Sequence, residues 1–292
     1  AARADAAAIL RMMEKLKRRG PDHGGQWVDG ALGFGHRRLS IIDLSAHSDQ
    51  PFYDAKLGLA IVFNGTIYNY QALRRELQGL GHEFVSSGDT EVILKAYAEW
   101  GESCVQRLNG MFAFAIWQQK TQRLFLARDR LGVKPLYFTH NGATFRFASS
   151  LPALLAAGEV DTRINPIALH HQFTLHGVVP APHTILQGVH KLPPAQTLSL
   201  HLPSLQAGQA LPPSQAYWQL NALRPQPELN GEAAIALIRD KLQAAVERQV
   251  LAADVPVGVL LSGGLDSSLL VGLLAERGQR DVYTFSVGFE DQ

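Results

Sequence analysis

The sequence predicts an α+β domain of stacked sheets, followed by the beginning of an α/β domain with a parallel sheet. Over residues 1–150, short strand patterns alternate with turns and helical patterns, which is typical of sheets flanked by helices. From residue 231, a long helical pattern precedes a strand, a glycine-rich loop, a helix and a second strand. That order predicts a right-handed βαβ unit. A length of 292 residues allows about two domains.

The elements of the first 150 residues follow from apolar periodicity and turn residues. The charged N-terminus has the pattern of an amphipathic helix. The Asn64-Gly65 pair is a strong turn signal, and Asp89 is a candidate N-cap. The predicted helices are 69–80 and 90–100. The predicted strands are 31–42, 59–63, 111–117, 123–128 and 145–148.

The rest of the chain changes character after a short helical pattern at 151–157. Prolines and glycines become frequent, which indicates a connecting region with an exposed loop at 202–213. A buried strand at 255–261, a helix at 269–278 and a strand at 282–289 form the βαβ unit. Two parallel strands do not make a stable domain, so we expect the sheet to continue beyond Gln292. The helix 231–251 places these apolar residues on one face: Ile235, Ile238, Leu242, Ala245 and Val246.

Composition excludes several classes of protein. The formal net charge is +1, with 46% hydrophobic and 18% charged residues, which gives no indication of a nucleic-acid or membrane-surface partner. No run of eighteen apolar residues predicts a membrane-spanning helix. Cys104 is the one cysteine, so the chain forms no internal disulfide and we expect a reducing, cytoplasmic location.

The segment 262–268, SGGLDSS, has the properties of a phosphate-binding loop. Its glycines let backbone N–H groups approach a ligand, and its serines lie where a helix begins and anions are favoured. No Gly-Lys-Ser/Thr follows the glycines, so the loop is not a P-loop. The alternative is a structural glycine-rich turn.

Several polar motifs lie among the strands of the first half. Each has a structural alternative, such as a hairpin turn at Asn64-Gly65 or a helix cap at Asp89. The motifs are RGPD at 19–22, RLSIID at 38–43, FNGTIYN at 63–69, SGDTE at 87–91, NGMFAFA at 109–115 and ARDRLGVKPLY at 127–137.

In this order, and followed by SGGLDSS, these motifs resemble the asparagine synthetase family of class II glutamine amidotransferases. The resemblance implies a glutaminase domain over 1–160, with the four-layer αββα sandwich of N-terminal nucleophile hydrolases. A connecting region would cover 161–230. Residues 231–292 would begin a PP-loop ATP pyrophosphatase domain, which is similar to adenine nucleotide α-hydrolases.

The resemblance implies two linked reactions. Ammonia released from glutamine attacks a carboxylate that ATP has activated as an acyl-adenylate, which yields an amide, AMP and pyrophosphate. Glutamine and a carboxylate acceptor, either aspartate or a small peptide, are the implied partners, and a homodimer is compatible with the family. ATP and Mg²⁺ are the implied cofactors.

The implied glutamine site has three parts. Arg38 would pair with the α-carboxylate and Asp89 with the α-ammonium. Asn64 and Gly65 would form the oxyanion hole. The residues expected to line the pocket are Leu39, Ser40, Ile41, Ile42 and Thr66.

The implied ATP site uses the loop and the two strand ends. Leu261 and Val287 would hold adenine or ribose through backbone groups. Asp266 would hold Mg²⁺ against the phosphates. The phosphate-binding residues would be Ser262, Gly263, Gly264, Ser267 and Ser268.

The chain departs from the family in two ways. The family nucleophile is an N-terminal cysteine, whereas this sequence begins Ala1-Ala2-Arg3. We therefore expect that a first strand and the nucleophile are missing, and that the chain as given is inactive; a lost glutaminase, as in β-lactam synthetase-like enzymes, and a degenerate binding chain are the alternatives. Thr66 replaces the usual glutamate, and the segment 170–182 is similar to enzymes that amidate an N-acetylated glutaminylglutamine dipeptide.

Overall fold

The computed structural model describes residues 3–142, 144–205, 210–221, 230–278 and 282–288. The chain divides into two compact units, 1–220 and 221–292. The helices are α1 Ala6–Leu16, α2 Tyr70–Gly79, α3 Asp89–Trp100, α4 Leu151–Ala156, α5 Pro166–Thr174, α6 Gly231–Leu251 and α7 Leu265–Glu276. The strands are β1 His23–Asp29, β2 Leu32–Arg38, β3 Phe52–Asp54, β4 Leu59–Ile67, β5 Gly110–Gln118, β6 Arg123–Arg128, β7 Tyr137–His140, β8 Phe145–Ala148, β9 His190–Lys191, β10 Gln196–His201, β11 Gln215–Ala216, β12 Gly258–Leu260 and β13 Tyr283–Phe285.

Four layers build the first unit. An antiparallel sheet of six strands, in the order β11-β10-β6-β5-β4-β3, faces a layer made of two smaller sheets, β1-β2 and β8-β7-β9. The apolar faces of the two strand layers form a common core, which includes Phe34, Val62 and Ala115. Helices α1 and α4 contact the smaller sheets, and α3 contacts β4. The predicted αββα sandwich is therefore confirmed.

Strand β4 extends through the predicted turn. Asn64 and Gly65 lie inside the strand, where Gly65 pairs with Phe112 of β5. A Cβ atom on Gly65 would lie 2.1 Å from the carbonyl oxygen of Met111, so only glycine permits this close approach. The turn prediction was wrong because the glycine serves backbone packing between two strands.

The N-terminal helix, the β5–β6 pair and α2 lie where the sequence predicts them. Helix α3 also agrees, except that Gly88 is its N-cap and Asp89 is its first residue. In the predicted exposed loop 202–213, positions 206–209 lie outside the described residues. The apolar side chains of Leu202, Leu205 and Leu211 are partly buried against the core, so this part of the loop prediction was wrong.

The second unit contains the predicted βαβ arrangement, with β12 parallel to β13. The prediction of a buried strand was wrong, because Val259 is buried but Leu260 is 81% exposed. Within helix α6, Val246 is buried whereas Ile235 and Ile238 of the same predicted face are exposed. Position 289 of the second predicted strand lies outside the described residues. None of the described helices is long and apolar enough to cross a membrane.

Candidate functional site

Arg38 ends β2 with a buried guanidinium that binds the loop following it. Its Nη1 donates to the carbonyl oxygen of Ser45 and to Oδ1 of Asp49, both at 2.9 Å. Its Nη2 donates to the carbonyl oxygens of Ile42, at 3.1 Å, and Asp43. The arginine therefore fixes the shape of the loop between β2 and β3, in addition to supplying a positive charge.

Asp89, the first residue of α3, lines the same cavity as Arg38. Its Oδ2 accepts a hydrogen bond of 2.9 Å from the backbone N–H of Ile67 in β4. Burial raises the pKa of Asp89 to about 6, although backbone hydrogen bonds and the positive charge of Arg38 act in the opposite direction. A carboxylate that is costly to ionise without a partner gains most from a cationic ligand.

The backbone N–H of Gly65 in β4 points to the side of the strand on which Asp89 lies. The backbone N–H of Phe63 donates to Gln50 Oε1, and that of Ile67 donates to Asp89 Oδ2. The N–H of Tyr68 points the other way and donates to the carbonyl oxygen of Asn109, next to β5. Alternate N–H groups of a strand point to opposite sides. The N–H of Gly65, between Phe63 and Ile67, therefore points away from β5.

The side chain of Asn64 provides a second donor beside Gly65. Its Nδ2 is buried and has no hydrogen-bond partner among the described residues. Buried donors are almost always paired in folded proteins, and an unpaired donor costs about 1–3 kcal/mol. An unpaired amide donor next to a glycine N–H is the arrangement that binds a developing oxyanion.

These groups line one cavity of about 1670 Å³ in the first unit. The predicted residues Leu39, Ile41 and Ile42 also line the cavity, whereas Ser40 does not. The backbone N–H of Ser40 instead donates to Oδ2 of Asp22 at 2.8 Å. The other residues of the implied glutamine site that line the cavity are Arg38, Asn64, Gly65, Thr66 and Asp89.

Cys104 does not belong to this cavity. The thiol is fully buried in the segment after α3. Burial, followed by the charge of Glu102, raises its pKa to about 12. The thiolate is the nucleophilic form of cysteine, and burial of Cys104 disfavours this form.

The glycine-rich loop of the second unit lies between β12 and α7. The N–H of Leu261 donates to the carbonyl oxygen of Phe285 at 2.8 Å, and Ser286 Oγ donates to the carbonyl oxygen of Leu261 at 2.7 Å. These bonds bring the ends of β12 and β13 together. Val287, which follows them, is 86% exposed.

Within the loop, Ser267 Oγ lies 3.1 Å from Ser262 Oγ and donates to the carbonyl oxygen of Gly264 at 3.2 Å. Gly264 caps α7 without a side-chain hydrogen bond, and Gly263 has a φ of 79°. Asp266 is the acidic residue in the first turn of α7. A curled loop that leads into an uncapped helix start presents N–H groups to an anion.

Residues 1–218 match the family model of the glutamine amidotransferase domain. This chain belongs to that family. Residues 237–292 match the family model of asparagine synthase. The order of the two matches confirms the resemblance to the asparagine synthetase family.

The relatives that this chain matches are about twice as long as the chain itself. This chain is 38% identical over 288 residues to glutamine-hydrolyzing asparagine synthetase 3 of Bacillus subtilis, and the match covers 96% of this chain and 45% of the relative. It is 37% identical over 284 residues to asparagine synthetase 1 of the same organism, covering 97% and 43%. A solved glutamine phosphoribosylpyrophosphate amidotransferase from Bacillus subtilis, complexed with ADP and GMP, is 20% identical with a TM-score of 0.46, covering 89% and 52%.

The sequence did not predict two residues that line the cavity, Gln50 and His36. Gln50 is buried, accepts from the N–H of Phe63 at 2.6 Å and lies 3.3 Å from Thr90 Oγ1. His36 lies 3.0 Å from the carbonyl oxygen of Phe63, and burial lowers its pKa to about 4. Both act on the strand next to Asn64, and neither has a local pattern that separates it from a surface polar residue.

Proposed function

We propose that this chain provides the glutamine site and the start of the ATP site of a glutamine-hydrolysing, ATP-dependent amide synthase. Ammonia from glutamine attacks a carboxylate activated by ATP, and the products are an amide, AMP and pyrophosphate. The chain spans about half the length of the curated relatives it matches, at 45% of the first. The complete reaction therefore belongs to the full-length protein.

The buried, unpaired Nδ2 of Asn64 carries the glutaminase part of the proposal. It lies in a strand whose next residue, Gly65, turns its N–H in the direction of Asp89. The two donors would stabilise the oxyanion that forms when the side-chain amide of glutamine is attacked. Arg38 and Asp89, on either side, would hold the α-carboxylate and the α-ammonium.

The nucleophile of this reaction is proposed to be an N-terminal cysteine of the full-length protein, as the family resemblance implies. Cys104 is unsuitable because burial keeps its thiol protonated. The neutral His36 and the half-buried Lys134, whose pKa is lowered by burial, line the same cavity. They would form part of the surroundings of the attacking group.

The ATP part rests on the loop from Ser262 to Ser268. The uncapped start of α7 and the positive φ of Gly263 fit a phosphate chain, which is anionic and needs many N–H donors. Asp266 would hold Mg²⁺, whose charge neutralises the phosphates during adenylation. Backbone groups of Leu261 and Val287 would contact the nucleoside.

The acceptor is proposed to be a free carboxylate, with aspartate as the first choice and an N-acetylated dipeptide as the second. The relatives named asparagine synthetase favour aspartate. Thr66 favours the second choice, because this buried position carries a hydroxyl where the family usually has a carboxylate.

The test is to measure glutamate and pyrophosphate release by the full-length protein with glutamine, ATP, Mg²⁺ and each acceptor in turn. We expect glutamate from glutamine, and pyrophosphate only when a suitable acceptor is present. Pyrophosphate without glutamate would indicate a synthetase that lacks glutaminase activity, as in β-lactam synthetase-like enzymes. Neither product with any carboxylate would refute the proposal.

Arg38→Ala separates the two nitrogen sources. We expect weaker use of glutamine, while free ammonia still supports synthesis. Arg163→Ala is the matched control, because Arg163 is exposed and pairs with Asp161 outside the cavity. Equal loss with both nitrogen donors would contradict two separate sites.

A further inference from the structure

Asp43 is a buried carboxylate in the loop that follows Arg38. The loop turns back at this residue, where the backbone φ is 51°. Its Oδ1 accepts hydrogen bonds from the N–H of Ser45, at 3.0 Å, and from Ser45 Oγ, at 2.6 Å. Oδ1 therefore closes the turn of its own loop.

The second oxygen of Asp43 joins this loop to a distant segment. Oδ2 accepts from Ser48 Oγ and from the backbone N–H of Ser87, both at 2.7 Å. Ser87 lies two residues before Asp89. The carboxylate of Asp43 is thus bonded to the segment that leads into Asp89, 44 positions along the chain.

The backbone of Asp43 contacts the other charged group of the site. Its carbonyl oxygen accepts a hydrogen bond from Nη2 of Arg38. One residue therefore connects Arg38, through its carbonyl, with the Asp89 segment, through its carboxylate. The distance between the two charges that would hold an α-amino acid depends on this connection.

Packing and charge both favour this arrangement. A Cβ atom on Gly88 would lie 2.5 Å from Ser48 Oγ, so the two segments are in close contact. Burial acts to raise the pKa of Asp43, but hydrogen bonds from Ser45, Ser48 and Ser87 outweigh burial and hold the pKa well below its usual range. A lowered pKa favours the ionised carboxylate, so the hydrogen bonds from Ser45, Ser48 and Ser87 are made to an anion.

We propose that Asp43 is a positioning residue, which sets the separation of Arg38 and Asp89 and thereby the affinity for the α-amino-acid end of glutamine. This inference rests on the proposed glutamine site. It assigns no contact between Asp43 and the reacting amide, so the residue acts on binding and not on the chemical step.

The test is Asp43→Asn in the full-length protein. Asparagine keeps the shape of the side chain but places an amide group where two acceptor oxygens are needed. We expect KM for glutamine to rise about tenfold or more, since hydrogen bonds to a charged group are lost, while kcat for glutamine stays within about threefold. The inhibition constant of L-glutamate should rise in parallel, and the ammonia-dependent rate should stay unchanged.

Asp54→Asn is the control for the loss of a largely buried, hydrogen-bonded carboxylate. Asp54 bonds Lys95 at 2.5 Å and the N–H of Leu57 at 3.0 Å, and it does not line the cavity. We expect a lower Tm without a change in KM. Ser48→Ala removes one donor to Oδ2 and provides a milder second variant, with an expected rise in KM of about threefold.

The outcomes separate this inference from the proposed function. A wild-type protein that releases no glutamate from glutamine refutes the proposed function. If the wild type is active, but KM for glutamine in both Asp43→Asn and Ser48→Ala stays within twofold of the wild-type KM, the role of Asp43 is refuted. A fall of the glutamine and ammonia rates by the same factor in Ser48→Ala also refutes that role, because it indicates a general structural effect.

Discussion

Strand β4 contains the candidate residues Asn64 and Gly65, and strand β12 precedes the SGGLDSS loop, but the surroundings of the two strands differ. β4 is bordered by β3 and β5, and its apolar side chains are buried. β12 has three residues and pairs with β13 alone among the described strands, and its Leu260 is exposed. Asn64 and Gly65, the proposed oxyanion donors, are therefore positioned by tertiary packing, whereas the SGGLDSS loop is shaped mainly by its own hydrogen bonds and the start of α7.

The largest expected difference between the two regions concerns stability. Phe114→Ala removes a buried ring of β5 and should lower the free energy of unfolding by about 3–5 kcal/mol. Leu260→Ala, at an exposed position of this chain, should change it by about 0.5 kcal/mol or less. Urea denaturation followed by far-ultraviolet circular dichroism, which reports the helices and strands of both units, measures both changes. Comparable losses in the two variants would show that β12 is packed as tightly as β5.

Asn64→Ala tests the packed site. Loss of one oxyanion donor should lower kcat for glutamine hydrolysis by about 10²–10³-fold. Ammonia-dependent pyrophosphate release should be retained, because the substituted strand lies in the other unit from the phosphate loop. Asn141→Ala, in the β7–β8 turn, is the control. Unchanged hydrolysis in Asn64→Ala would exclude the oxyanion role.

Asp266→Ala tests the exposed loop. Adenylation, followed by pyrophosphate release, should fall by at least about two orders of magnitude, since metal-held phosphate charge contributes several kcal/mol. Glutamine hydrolysis should be largely kept. Asp240→Ala, an exposed acidic residue of α6, should leave both rates near wild type. A similar effect of the two substitutions would argue against a special role for Asp266.

The smallest effect is a pH dependence confined to the packed site. In the proposed site, Asp89 would have to be ionised to bind the α-ammonium of glutamine, and burial raises its pKa to about 6. We therefore expect kcat/KM for glutamine to fall below pH 6, by about tenfold for each further pH unit. Stability has the opposite sign: because the pKa is raised by burial, the protonated carboxyl stabilises the fold at low pH, and this contribution is lost as the pH rises through about 6.

A flat pH profile for glutamine between pH 5 and 7 would contradict the role of Asp89. The profile with free ammonia provides the internal control. This profile depends on the protonation of ammonia itself, and the titration of Asp89 should produce no additional fall in rate.

The two regions also differ in how much of each could be predicted from the sequence. The loop at 262–268 and its βαβ context are local in the chain, so residue order predicts them directly. The predicted turn at Asn64-Gly65 failed, because the reason for glycine there is the carbonyl oxygen of Met111, which is distant in sequence. The roles of Gln50, in bonding Phe63, and Asp43, in bonding Ser87, are likewise contacts that no local pattern encodes.

Burial in the second unit was over-predicted for a related reason. Alternating or continuous apolar residues indicate which side of an element avoids water, but not which segment covers it. Val246 and Val259 pack in one apolar cluster of the unit, whereas Ile235 and Leu260 are exposed.

The most direct test of the glutamine site is a crystal structure of the full-length protein with L-glutamate, the expected product. The side-chain carboxylate should accept hydrogen bonds from Asn64 Nδ2 and the N–H of Gly65, with the α-ammonium at Asp89 and the α-carboxylate at Arg38. Glutamate bound elsewhere, or bound in the cavity while Asn64 Nδ2 stays unpaired, would contradict the proposed site.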